Sequence, residues 1–166
     1  MFLTEDGSVK VGDFGASKQL DAQAVALTGI GTPCWMAPEV IIHNEAYDCK
    51  VDIWSLGIVV IELMEGWAPF SDLSPYQAMT NIVDDSEPAT LATETAASLA
   101  CRDFLSVALV KEPTKRWGAA QLLEHKWLSD AQQAPLAKLL AEQAVALEQA
   151  GGGVGGDRDD DSTVLL

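Results

Sequence analysis

The chain has 166 residues, a length that suits one domain, and 48 % of them are hydrophobic, enough to supply a core. Ten Lys and Arg against 25 Asp and Glu give a formal net charge of -15, which repels phosphate backbones and anionic bilayers and argues against nucleic acid or membrane partners. Cys34, Cys49 and Cys101 lack a paired-ligand spacing and His43 and His125 make no cluster, so the reading is reduced thiols in a cytoplasmic protein, with the nucleus also open.

In chain order, two short apolar runs flank Glu5-Asp6-Gly7, where Asp-Gly signals a hairpin ending at Asp13. Residues 14–39 show no sustained period and are punctuated by Gly15, Gly29, Gly31, Pro33 and Pro38; a long irregular segment of this kind is usually functional. Residues 51–64 are apolar almost all round, interrupted by Glu62, which predicts a central helix buried on most sides. Gly66 ends it, and residues 76–83 form a short amphipathic helix. Two further helices are expected over 96–110 and 119–128, joined by 111–118. An Ala- and Gln-rich amphipathic helix follows over 131–150, broken by the glycines that begin at Gly151. The acidic end cannot bury enough surface to order itself, so 151–166 is expected to be disordered.

Asp-Phe-Gly at Asp13, Phe14 and Gly15 is three common letters. Its weight comes from the strand before it and from Ala-Pro-Glu at Ala37, Pro38 and Glu39 behind it. A carboxylate at the end of a rigid strand is the hard ligand that Mg2+ bound to phosphate oxygens requires. Four blocks, Val9-Lys-Val-Gly-Asp-Phe-Gly15, Gly31-Thr-Pro-Cys-Trp-Met-Ala-Pro-Glu39, Asp52-Ile-Trp-Ser-Leu-Gly57 and Pro113-Thr-Lys-Arg116, stand in one order. That order resembles the protein kinase family over about residues 1–128. Asp-Phe-Gly-Ala-Ser-Lys and the residues around Glu39 are similar to the sterile-type kinases upstream in MAP kinase cascades.

The resemblance implies a mainly α fold with a short N-terminal β-hairpin, the C-terminal lobe of the α+β kinase fold. It implies a serine/threonine protein kinase, a transferase in signal transduction that uses ATP and Mg2+ and acts on protein substrates or other cascade kinases. Asp13 is then the metal ligand, Phe14 and Gly15 its nucleotide-site neighbours, and Gly31, Thr32 and Pro33 the substrate wall of the activation segment. Thr28, Thr32 and Ser17 are candidate phosphorylation sites, Thr28 regulatory and Thr32 structural. Glu39 and Arg116 are expected to form a buried ion pair, Asp52 to take backbone donors from a catalytic loop, and Trp54 and Gly57 to be structural. Plainer readings stand beside these: Asp13 as a strand-end turn residue, Asp52 as a helix cap.

No stretch of the chain matches a glycine-rich loop, a nucleotide-anchoring Lys with its partner Glu, or a His-Arg-Asp catalytic loop. Met1 is therefore expected to be an internal residue of a longer kinase, with the general base upstream and the 166 residues inactive by themselves. The expected organisation is a kinase lobe over 1–128, a helical extension over 129–150 and a tail over 151–166, with oligomeric state open. The alternative is a non-catalytic lobe that docks or competes through residues 76–83 and their neighbours.

Overall fold

The computed structural model describes residues 2–4, 8–14, 33–42, 47–84, 87–129, 131, 138 and 164–165. The chain divides into two compact units, Met1–Lys18 with Ala131–Leu166, and Gln19–Asp130.

In the first unit, β1 (Phe2–Leu3) and β2 (Val9–Lys10) pair antiparallel, with Phe2 opposite Lys10 and Leu3 opposite Val9. The Thr4 amide and hydroxyl both donate to the Ser8 carbonyl, at 2.9 and 2.8 Å, and close the mouth of the turn that Asp6-Gly7 predicts. A third strand, β3 (Val164–Leu165), lies antiparallel along the other edge of β1, giving the order β2-β1-β3. Val164 and Leu165 are the described residues of the stretch expected to be disordered. A β-branched and apolar dipeptide can satisfy its backbone groups on the open edge of β1 without a core of its own. Of the expected helix over 131–150, residues other than Ala131 and Lys138 lie outside the described ones.

The second unit is helical. A 3-10 turn at Pro33–Trp35 leads into α1 (Pro38–Ile42), followed by α2 (Lys50–Glu65), α3 (Pro75–Asp84), α4 (Leu99–Ala108), α5 (Ala119–Leu123) and α6 (Lys126–Ser129). The 3-10 turn sits in the segment predicted to be irregular, and α1 begins at its end. They are too short for a periodic signal, although Pro38 at the first helical position is favourable because its missing N–H is not needed there. Gly66 stops α2 in the left-handed region, φ 86°, and its N–H donates to the Glu62 carbonyl at 2.7 Å.

The core is built on one side of α2: Ile53, Trp54, Gly57, Ile58, Val60 and Ile61 are buried among Phe104, Leu105 and Leu109. At Gly57 an added Cβ would stand 2.7 Å from the buried Leu109 side chain, so α2 and α4 meet at a distance only glycine permits. The expectation that α2 is buried on most sides is corrected. Leu56 and Leu63 are 38 % and 66 % exposed, and Asp52 on the same face is exposed too. Composition identifies an apolar surface, but burial requires a neighbour, and no described element covers this one.

The remaining helices are set by their caps. Ser98 accepts the Cys101 N–H at 3.1 Å and starts α4 later than apolar spacing predicts. The single helix expected over 119–128 is two. His125 is buried and its Nδ1 accepts the Trp127 N–H at 3.1 Å, a side-chain bond that competes with the helical ladder and breaks it. The ring proton therefore sits on Nε2, 3.1 Å from Asp103 Oδ2.

Candidate functional site

The hairpin expected to end at Asp13 stops at Lys10, and Asp13 stands three residues beyond β2 with φ 62°, a left-handed conformation that Asp tolerates better than most side chains. Immediately before it, an added Cβ at Gly12 would lie 2.5 Å from the Phe2 ring, so that ring packs where only glycine leaves room. The Asp13 side chain is exposed and Phe14 is 66 % exposed. Gly15 lies outside the described residues. Among the described residues no group of three or more His, Cys, Asp or Glu could hold a metal ion. Magnesium in nucleotide enzymes typically takes one or two carboxylates and completes its shell with phosphate oxygens and water. Asp13 fits that ion as one ligand, not as a complete site.

Ser17, Thr28, Gly31 and Thr32 also lie outside the described residues, and the substrate-wall expectation is represented by Pro33, which is in the second unit and is buried. The turn that Pro33 opens is stitched to α2. Ser55 Oγ donates to the Trp35 carbonyl at 2.8 Å, and Trp35 Nε1 donates to Glu62 Oε2 at 3.1 Å. Ser55 and Glu62 are seven positions apart, two turns along one face, so a single helix grips this turn at two points. Sequence reasoning did not select Trp35, Ser55 or Glu62. The available signal was Glu62 itself, a carboxylate interrupting the apolar run.

Burial raises the Cys34 thiol above its ordinary pKa against a local backbone hydrogen bond, and the Glu62 and Asp72 charges add to the rise. Cys34 is thus a small protonated core residue.

Further along, Glu39 in the first turn of α1 meets Arg116. The guanidinium grips the carboxylate with both forks, Nη1 to Oε1 at 2.7 Å and Nη2 to Oε2 at 3.0 Å. Its other donors reach the carbonyls of Val110 at 2.8 Å, Lys50 at 2.8 Å and Lys111 at 3.4 Å. The Arg116 side chain is wholly buried and its Cζ lies 5.2 Å from the centre of the Trp54 ring. A buried guanidinium is tolerable because its five N–H donors are all engaged and a carboxylate balances its charge. The Lys50 ammonium adds bonds to the Arg116 and Pro113 carbonyls. Trp54 contributes its ring and leaves Nε1, among the described residues, without a partner.

Asp52 occupies the first turn of α2, where its charge favours the helix N-terminus, and it is exposed among the described residues. It is not the cap, since that position belongs to Cys49.

A sequence profile of the protein kinase domain matches residues 1–128, more than half of the chain and all four blocks. The chain belongs to the protein kinase family. Among its curated relatives, serine/threonine-protein kinase hippo of Drosophila melanogaster is 39 % identical over 150 residues, covering 90 % of this chain and 22 % of that protein. Serine/threonine-protein kinase 10 of Homo sapiens is 42 % identical over 134 residues, 78 % of this chain and 14 % of its own length. Serine/threonine-protein kinase ste20 of Aspergillus fumigatus is 45 % identical over 130 residues, 78 % of this chain and 16 % of that protein. These homologues are serine/threonine kinases of the Ste20 group, and this kinase chain spans under a quarter of each. No helix among its described residues is long and apolar enough to cross a membrane.

Proposed function

We propose that the chain supplies the substrate-side lobe and one metal ligand of an ATP-dependent serine/threonine phosphotransferase in a MAP kinase-type cascade. The observation that carries this reading is the co-occurrence of Asp13, exposed three residues beyond β2, with three further kinase blocks in family order. Mg2+ bound at Asp13 would neutralise charge on the transferring phosphate. The chain's own residues do the rest of what falls to this lobe. Asp13 holds an anionic oxygen outside the fold with Phe14 beside it, and Gly31, Thr32 and Pro33 are the proposed wall that receives the substrate residue after the phosphoacceptor, the turn that Pro33 opens being held by Ser55 and Glu62. Thr28 and, less so, Ser17 are the proposed regulatory phosphoacceptors, where two negative charges can order the segment by pairing with arginines. Thr32 is the proposed structural member of the wall.

Phosphoryl transfer needs several parts held at once, and a general base is not among the residues this chain contributes. The test is to incubate the purified 166-residue chain with Mg2+-ATP and a generic Ser/Thr peptide. Incorporation no greater than that of Asp13→Ala is expected, and turnover clearly above it would sink this division of labour.

A further inference from the structure

A groove in the second unit lies between α1, α3 and the loop that carries Pro113. It takes two adjoining hollows of about 540 and 220 Å3 that share Glu39, Glu112 and Pro113. The size range is that of a ligand site, and both hollows are partly open to solvent, which lets an extended chain lie across them.

Its two ends differ in chemistry. At one, Pro38, Ile42, Val83 and Pro113 form an apolar floor, and Ile42 is 48 % exposed. At the other stands Asp48, and Glu112 lines both hollows; both carboxylates are exposed. The basic residues of the groove are turned onto the fold. The Lys50 ammonium bonds the Pro113 and Arg116 carbonyls, and that of Lys111 donates to the Val83 carbonyl at 3.3 Å. Glu39 is neutralised by Arg116. Asp48 accepts the Lys50 amide at 2.7 Å, and Glu112 accepts the Thr114 hydroxyl at 2.8 Å and a Thr114 backbone bond, with the Lys115 and Arg116 charges nearby. A carboxylate has about four acceptor sites, so both retain capacity for a cation. The potential presented outward is negative, in a chain of net charge -15.

We infer that this groove docks an extended basic peptide, one or two apolar side chains lying on Ile42, Val83 and the prolines and an Arg or Lys reaching Asp48 and Glu112. The acidic end disfavours an anionic lipid surface or a nucleic acid, and the apolar floor distinguishes the site from a merely solvated acidic face. Docking of this kind lies beyond phosphotransfer and needs no nucleotide, so it stands or falls separately from the proposed activity.

The probe is a fluorescein-labelled peptide containing Leu-Leu-Gly-Arg-Arg, titrated with the full 166-residue chain by fluorescence anisotropy, beside a copy with Glu in place of both Arg. Binding of the first, with the second at least about tenfold weaker, is expected. Glu112→Lys, Asp48→Lys and Ile42→Gln are each expected to weaken it by about tenfold. Glu94→Lys, exposed and outside the groove, makes the same change in net charge as Glu112→Lys and is expected to alter binding less than about twofold. All variants change exposed side chains, and circular dichroism checks that each is folded. No binding by the wild-type chain, equal losses in Glu94→Lys and Glu112→Lys, or no loss in Ile42→Gln would each overturn the inference. So would a wild-type dimer, seen by sedimentation, that Ile42→Gln dissolves, because the groove would then belong to a second copy.

Discussion

Arg116 shows how one side chain can fix the relation of several segments. Its guanidinium reaches α1 through Glu39, the start of α2 through the Lys50 carbonyl and the turn after α4 through the Val110 carbonyl. Glu39→Gln keeps the shape and part of the hydrogen bonding while stranding the buried cation, so a loss of about 3 to 5 kcal/mol is expected in urea unfolding. Arg116→Met with Glu39→Gln, which removes the charge as well, is expected to recover part of that loss. Glu39 and Arg116 were legible because motif order singles out both, 77 positions apart. Trp35 and Ser55 were not, because a hydrogen bond between an indole or hydroxyl and a helix leaves no periodic trace. The thiols give a second outcome at this scale. Cys34 and Cys101 are buried and Cys49 is exposed, so a thiol reagent at neutral pH is expected to modify Cys49 fast and the other two slowly. Three equal rates would contradict the core assignment of Cys34.

At the scale of elements, close approach matters more than propensity. The α2–α4 contact rests on Gly57, and a methyl there meets Leu109 Cγ and Cδ2 deep in the core, where neither helix can yield easily. Gly57→Ala is therefore expected to destabilise by about 1 to 3 kcal/mol, despite alanine's higher helix propensity, and a thermal melt measures it. An unchanged or raised Tm would contradict the packing. Sequence pattern located α2, α3 and α4 to within a few residues, because each carries an apolar face long enough to repeat. It joined α5 to α6, because the break comes from where the His125 ring turns rather than from a breaker residue. It also overstated the burial of α2, since Leu56 and Leu63 have the same chemistry as Ile58 and Ile61 and differ in what lies opposite.

For the whole molecule, the two buried thiols set an alkaline limit. Burial raises Cys34 and, against a smaller opposing effect of Arg102, Cys101. A thiol whose folded pKa is raised favours the folded state while protonated. That contribution is fully present below the ordinary thiol pKa of about 8.5 and is lost as pH rises through the raised values. Stability is expected to fall from the ordinary thiol range upward, and the fall to be smaller in Cys34→Ala with Cys101→Ala. The family and the mainly helical lobe were legible in four motif blocks. The standing of Asp13 as a ligand in a working enzyme depends on partners that no pattern in the 166 residues supplies. The most direct measurement joins the segment preceding Asp-Phe-Gly in a relative, serine/threonine-protein kinase 10, to this chain and follows phosphate transfer from Mg2+-ATP to a Ser/Thr peptide. Transfer that falls at least about a hundredfold in Asp13→Ala is the expected result. A folded chimera in which Asp13→Ala transfers phosphate as well as its parent would contradict the account.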